Sequence, residues 1–119
     1  MKLKKYIDIA IPLATNNERK KKHVSLIIRK GELVSFGINK LKTHPLAKIY
    51  GYRYNEIHAE LDALLKYKGP KDKLILINFR FNRFGDMRMS KPCELCLPWC
   101  SAVFDSIVYS TVDGMVAAP

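Results

Sequence analysis

Apolar residues Leu3, Tyr6, Ile7, Ala10, Leu13 and Ala14 recur at the spacing of one helix face, which predicts an amphipathic helix over residues 3 to 15. Pro12 lies within it, and its missing backbone donor is expected to kink or shorten the last turn. A polar, basic connector follows from Asn16 to His23, containing Arg19, Lys20, Lys21 and Lys22. Val24 to Ile28 and Leu33 to Ile38 are β-rich runs joined by Arg29-Lys30-Gly31-Glu32, the pattern of a hairpin. Asn39 to Asn55 is irregular, and loops of that length in a compact domain are usually functional. Helical spacing returns from Ile57 to Tyr67, where Ile57, Leu61, Leu64 and Leu65 form a stripe that Gly69-Pro70 ends. Leu74 to Phe81 alternates, with Ile75, Ile77, Phe79 and Phe81 on one side and Leu76, Asn78 and Arg80 on the other. Phe84-Gly85-Asp86 reads as a turn, Cys93 to Phe104 as a helix and Ile107 to Ser110 as a strand. Asp113-Gly114 predicts a tight turn into a last strand, Met115 to Ala118.

The order is helix, strand, strand, helix, strand, helix, strand, strand. It predicts an α/β fold, a three-layer sandwich in which a mixed β-sheet carries helices on both faces. With 119 residues, a single domain over 1–119 is expected. No apolar run reaches the roughly 18 residues of a membrane span. The basic N-terminus runs into a segment holding Asp8 and Pro12 rather than an apolar secretory core, so a cytoplasmic protein is expected.

Charge narrows the partners. The net charge is +10, from 21 basic against 11 acidic residues. Such a surface concentrates phosphates and suggests an anionic nucleotide or single-stranded nucleic acid, although lysine-rich faces also serve solubility alone. Arg80, Arg83, Arg88 and Lys91, interleaved with Phe79, Phe81 and Phe84, are either a phosphate-binding and base-stacking rim or solvated charges beside core phenylalanines.

Cys93, Cys96 and Cys100 are odd in number and clustered, which points to metal or thiol chemistry rather than a disulfide framework. His58-Ala59-Glu60 and Pro92-Cys93-Glu94-Leu95-Cys96 each fall at a predicted helix start. One imidazole and two thiolates supply three ligands, the number a catalytic zinc keeps while leaving its fourth position to water. Zinc lowers the pKa of that water from about 15.7 to near 7. Glu60, two residues after His58, is placed to take a proton and pass it on without being a ligand. The competing assignment is a structural Cys₃His site, because Cys96 and Cys100 share a helix face. Such a site has no use for Glu60, and Cys100 is otherwise a small buried apolar residue.

These residues match the H-x-E…P-C-x-x-C pattern of zinc deaminases. The chain resembles the cytidine and deoxycytidylate deaminase superfamily, from about Tyr6 onward in element order. The resemblance implies a zinc-dependent hydrolase that replaces the exocyclic amine of a nucleobase by oxygen. It makes His58, Cys93 and Cys96 the metal ligands and Glu60 the catalytic residue. Gly37-Ile38-Asn39 is similar to the family's G-x-N, which puts Asn39 against the substrate, although an asparagine there also suits a turn. Ala59 is expected to line the same pocket, and Arg83 and Arg88 to reach its mouth. Ser90-Lys91-Pro92-Cys93 resembles small viral and bacterial members. Histidine as first ligand is commoner in deoxycytidylate, transfer-RNA and polynucleotide deaminases, whereas an antiparallel last strand resembles the free-nucleoside branch. A homo-oligomer that completes its pocket across subunits is expected as well.

Overall fold

A computed structural model of the chain describes residues 3–16, 22–39, 58–93 and 96–117. His44 and Tyr54 of the long loop, Arg19 to Lys21 of the basic connector, and Ile57, Glu94, Leu95 and Ala118 lie outside the described residues.

The helix predicted from the first apolar stripe is α1 (Leu3–Thr15), which buries Tyr6, Ala10 and Ala14. Pro12 does not shorten it. Asp8, whose carbonyl the missing N–H would have met, is exposed, so water can take that bond, and the Asn16 N–H still donates to the Pro12 carbonyl at 3.2 Å. The predicted hairpin is β1 (Lys22–Arg29) and β2 (Glu32–Ile38), paired antiparallel. Lys30 and Gly31, with φ of 51° and 78°, make the two-residue turn whose twist suits a hairpin.

Helix α2 (Ala59–Lys66) follows, and then β3 (Leu74–Phe81) over the predicted residues. A short return strand, β4 (Met87–Arg88), went unpredicted because two paired residues carry no periodicity. Helix α3 (Leu97–Val103) is shorter than the predicted 93–104. Leu97 already donates to the Cys93 carbonyl at 2.8 Å, but Pro98, in the first turn, has no N–H to continue the ladder. The chain then forms β5 (Ser106–Thr111) and β6 (Gly114–Ala117). Their connection is Val112-Asp113 rather than Asp113-Gly114. Thr111 Oγ1 accepts the Asp113 N–H and donates to the Gly114 carbonyl, so Gly114 is already paired.

The six strands make one mixed sheet of order β2-β1-β3-β5-β6, with β4 beside the end of β3. Among the described residues only β3 and β5 pair in parallel, with α3 lying between them in the chain. The alternation within β1 and β3 sends side chains to two cores. Val24, Leu26, Ile28, Ile77, Phe79 and Phe81 pack with α1. On the other face Ile27, Leu74 and Leu76 pack with Leu61 and Ala63 of α2 and with Cys100 of α3. This is the expected three-layer α/β sandwich. Because both faces of the central strands are covered, five consecutive residues of β1 are buried, and the polar side chains there must find partners inside. Among the described residues no helix is long and apolar enough to cross a membrane.

Candidate metal centre

Contacts between β2 and α2 position the histidine. Gly37 faces the first turns of α2 so closely that a Cβ would run into the Ala59 carbonyl oxygen and the Ala63 amide. One residue on, the Ile38 N–H donates to the buried Asp62 carboxylate at 3.1 Å, and Lys66 pairs with the same oxygen at 3.1 Å. Ser35 Oγ donates to the Ala63 carbonyl at 2.7 Å. His58 caps the start of α2 in extended conformation and makes no side-chain capping bond. Its Nδ1 lies instead against two sulfurs.

A polar network positions those sulfurs. Ser25 Oγ donates to Asn78 Oδ1 at 2.6 Å, and Asn78 Nδ2 donates to the Ser90 carbonyl at 3.2 Å. Ser90 Oγ donates to the Asn78 carbonyl at 2.9 Å and accepts the Ser110 N–H at 2.7 Å. Ser110 Oγ in turn donates to the Arg88 carbonyl and accepts the Arg80 N–H. The network fastens the segment after β4 to β3 and β5 three residues before Cys93, whose carbonyl holds the first turn of α3.

His58 Nδ1 is 3.6 Å from Cys93 Sγ and 3.3 Å from Cys96 Sγ, and all three ligand atoms lie within 4.8 Å of one another. In a tetrahedral zinc site with Zn–S near 2.3 Å and Zn–N near 2.0–2.1 Å, sulfur and nitrogen stand about 3.5 Å apart. Both sulfur–nitrogen distances fit the edges of such a tetrahedron. His58 is half-buried, Cys96 is buried and Cys93 is exposed, so the cluster has a closed side and an open one. These three residues could hold a metal ion.

Cys100 stands apart from the cluster. It is free, buried in the core with Leu61, Leu76 and Phe104, and not among the mutually close ligand atoms. Burial, with Glu60 and Cys93 nearby, pushes its thiol far above the usual range, which disfavours a thiolate.

Glu60 lies in the first turn of α2 with only 6% exposure. Burial raises its carboxyl above the usual range, against the lowering effects of its own backbone amide, of His58 and of a hydrogen bond from Cys96. It touches the cluster without joining it. Ala59 is buried beside it.

The other substrate candidates lie near one end of the sheet. Asn39 follows β2, and its Oδ1 accepts the His23 N–H at 3.0 Å, so this part of its side chain ties β2 to β1. Arg83 is exposed on the turn, its guanidinium 4.8 Å from the centre of the Phe84 ring. That turn is built by Asn82, whose Oδ1 accepts the N–H groups of Phe84 and Asp86. Arg88 is half-buried, donates to the Met87 carbonyl and stands 4.0 Å from Asp86. Phe79 and Phe81 belong to the α1 core, whereas Phe84 is 75% exposed. Trp99 packs against Phe104.

Asp62, Asn78, Ser90 and Gly37 were not singled out as positioning residues from sequence. The available signal was Asn78 itself, a polar side chain inside a strand destined for burial on both faces. No protein-family model, curated protein or solved structure matches the chain.

Proposed function

We propose that this chain is a zinc-dependent hydrolytic deaminase of the cytidine and deoxycytidylate deaminase type, acting on the exocyclic amine of cytosine in a nucleoside or nucleotide. The supporting observation is the convergence of His58, Cys93 and Cys96 at tetrahedral spacing with the buried Glu60 carboxyl against them. His58, Cys93 and Cys96 would hold the zinc ion, which when bound would supply an acidified water.

The remaining chemistry belongs to the chain. Glu60 accepts a proton from the attacking water and delivers it to the ring nitrogen, then moves a second proton to the departing amine. The carbon–nitrogen bond breaks, a carbon–oxygen double bond forms, and ammonia leaves. Burial raises the proton affinity of the Glu60 carboxyl, which suits a group that takes a proton and returns it. Asn39 and Ala59 orient the base, and Arg83 and Arg88 serve the mouth of the pocket. Pairing of subunits completes the site.

A second reading, a deaminase of single-stranded DNA or RNA, is favoured by the +10 charge and by the exposed Phe84 with Arg83 over its ring. An unpaired strand follows a basic groove and stacks on exposed aromatics. Ammonia release from zinc-loaded protein decides the matter. The panel is cytidine, deoxycytidine, their monophosphates, adenosine and single-stranded oligonucleotides. Turnover of cytidine nucleosides or monophosphates is expected, turnover confined to oligonucleotides selects the second reading, and no ammonia from any member defeats both.

A further inference from the structure

Arg80 occupies an unusual place in the sheet. Leu76 and Asn78, two and four residues earlier in β3, face α2 and α3, whereas Phe79 and Phe81 face α1. Alternation therefore puts Arg80 on the face that carries the metal cluster, one pleat beyond Asn78. Register sets it directly opposite His23 of β1 on one side and Arg88 of β4 on the other. Directly opposed residues share a face, so two arginines and a histidine form one row across three strands. The same row ends at Asn39, which takes the His23 N–H.

Arg80 is half-buried, and its Nε is wholly buried without a hydrogen-bond partner. Among the described residues no carboxylate pairs with its guanidinium. Asp86, exposed on the turn before β4, stands 4.0 Å from Arg88. A guanidinium is never neutral at ordinary pH, so burial cannot be relieved by losing a proton. A basic neighbour directly across the strand is unfavourable as well, and an anion with two or more oxygens, bound at the outer nitrogens of the guanidinium, offsets that repulsion.

We propose that Arg80, with Arg88 and His23 beside it, forms a phosphate subsite on the same face of the sheet as the metal cluster, and that it takes the phosphate of a nucleotide. The choice of a nucleotide rests on the deaminase reading, whereas the anion subsite rests on the Arg80 geometry alone. Arg80 is thus a specificity residue that separates phosphorylated from unphosphorylated substrate. Arg83, exposed on its turn, lies outside this row.

The test is a calorimetric titration of the zinc-loaded protein with four probes: inorganic phosphate, deoxycytidine 5′-monophosphate, deoxycytidine and a short oligodeoxycytidylate. Arg80→Gln should weaken the phosphate-bearing probes by about ten- to a hundredfold, the range for one charge-assisted hydrogen-bonded pair, and leave deoxycytidine unchanged. Loss on the monophosphate identifies a free nucleotide, and loss confined to the oligonucleotide identifies a phosphodiester in a strand. Both support the subsite. Equal binding of every phosphate probe by variant and wild type overturns it, as does an equal loss for deoxycytidine. In case Arg80→Gln does not fold, the Arg80 Nε–H resonance of the wild-type protein provides the second measurement. It should shift on adding inorganic phosphate, and an unmoved resonance overturns the proposal. Phosphate binding through Arg80 in a protein that releases no ammonia retires the deaminase reading and retains the subsite.

Discussion

Glu60 and Cys100 are both buried ionisable groups near the candidate metal ligands, yet they are suited to different work. The Glu60 carboxyl touches Cys96 and keeps a raised proton affinity, whereas Cys100 is enclosed by apolar side chains. Glu60→Gln preserves shape and hydrogen bonding but cannot carry protons. Turnover is expected to fall by about 10² to 10⁴, with one zinc per chain retained, as read by ammonia release and metal analysis. Near-normal turnover in that variant would remove Glu60 from the mechanism. Cys100→Ser should also keep its zinc, and Cys100→Ala provides the same test without a buried hydroxyl. Zinc lost from both would mean a four-ligand structural site.

At the scale of elements, the site depends on how β2 meets α2. The Gly37 backbone is not in the left-handed region, so glycine is needed there for space and not for conformation. Gly37→Ala would push a methyl into the backbone of α2 at Ala59 and Ala63, where no side chain can rotate away. Such overpacking typically costs about 1–3 kcal/mol. A lower denaturation midpoint is expected together with weaker zinc binding, because His58 moves with α2. Unchanged stability would show that strand and helix are not in contact at this point. The Ser25–Asn78–Ser90–Ser110 network does for the cysteine side what Gly37 and Asp62 do for the histidine side. Each ligand-bearing segment is thus tied to the sheet shortly before or after its ligands.

For the molecule as a whole, a metal in this site would cross-link segments far apart in the chain, the start of α2 and the segment entering α3. Binding to the folded state alone stabilises it by about 2.7 kcal/mol when free zinc exceeds its Kd a hundredfold. For a chain of this size that corresponds to a Tm rise of about 10 °C. Thermal unfolding with zinc and with a chelator should show this difference, and replacing His58, Cys93 and Cys96 together should abolish it. A shift that persists in the triple variant would place the metal elsewhere.

The elements were legible because their causes are local. Period-two alternation specified Leu74 to Phe81, the Lys30-Gly31 turn marked the hairpin, and the apolar stripe over residues 3 to 15 outweighed a single proline on its exposed side. The candidate cluster was legible too, since His58, Cys93 and Cys96 are residue types with a shared chemistry, and the fold brings them together. Local pattern could not reveal the fate of the polar residues between the apolar ones. Asn78 and Arg80 alternate with Phe79 and Phe81 as if facing water, but α2 and α3 cover that face. Whether such a side chain is solvated, bonded inside or left without a partner depends on segments distant in sequence. Only the tertiary structure, by packing helices on both faces of one sheet, decided that Asn78 would anchor the cysteine segment and Arg80 would hold a buried, unpartnered N–H.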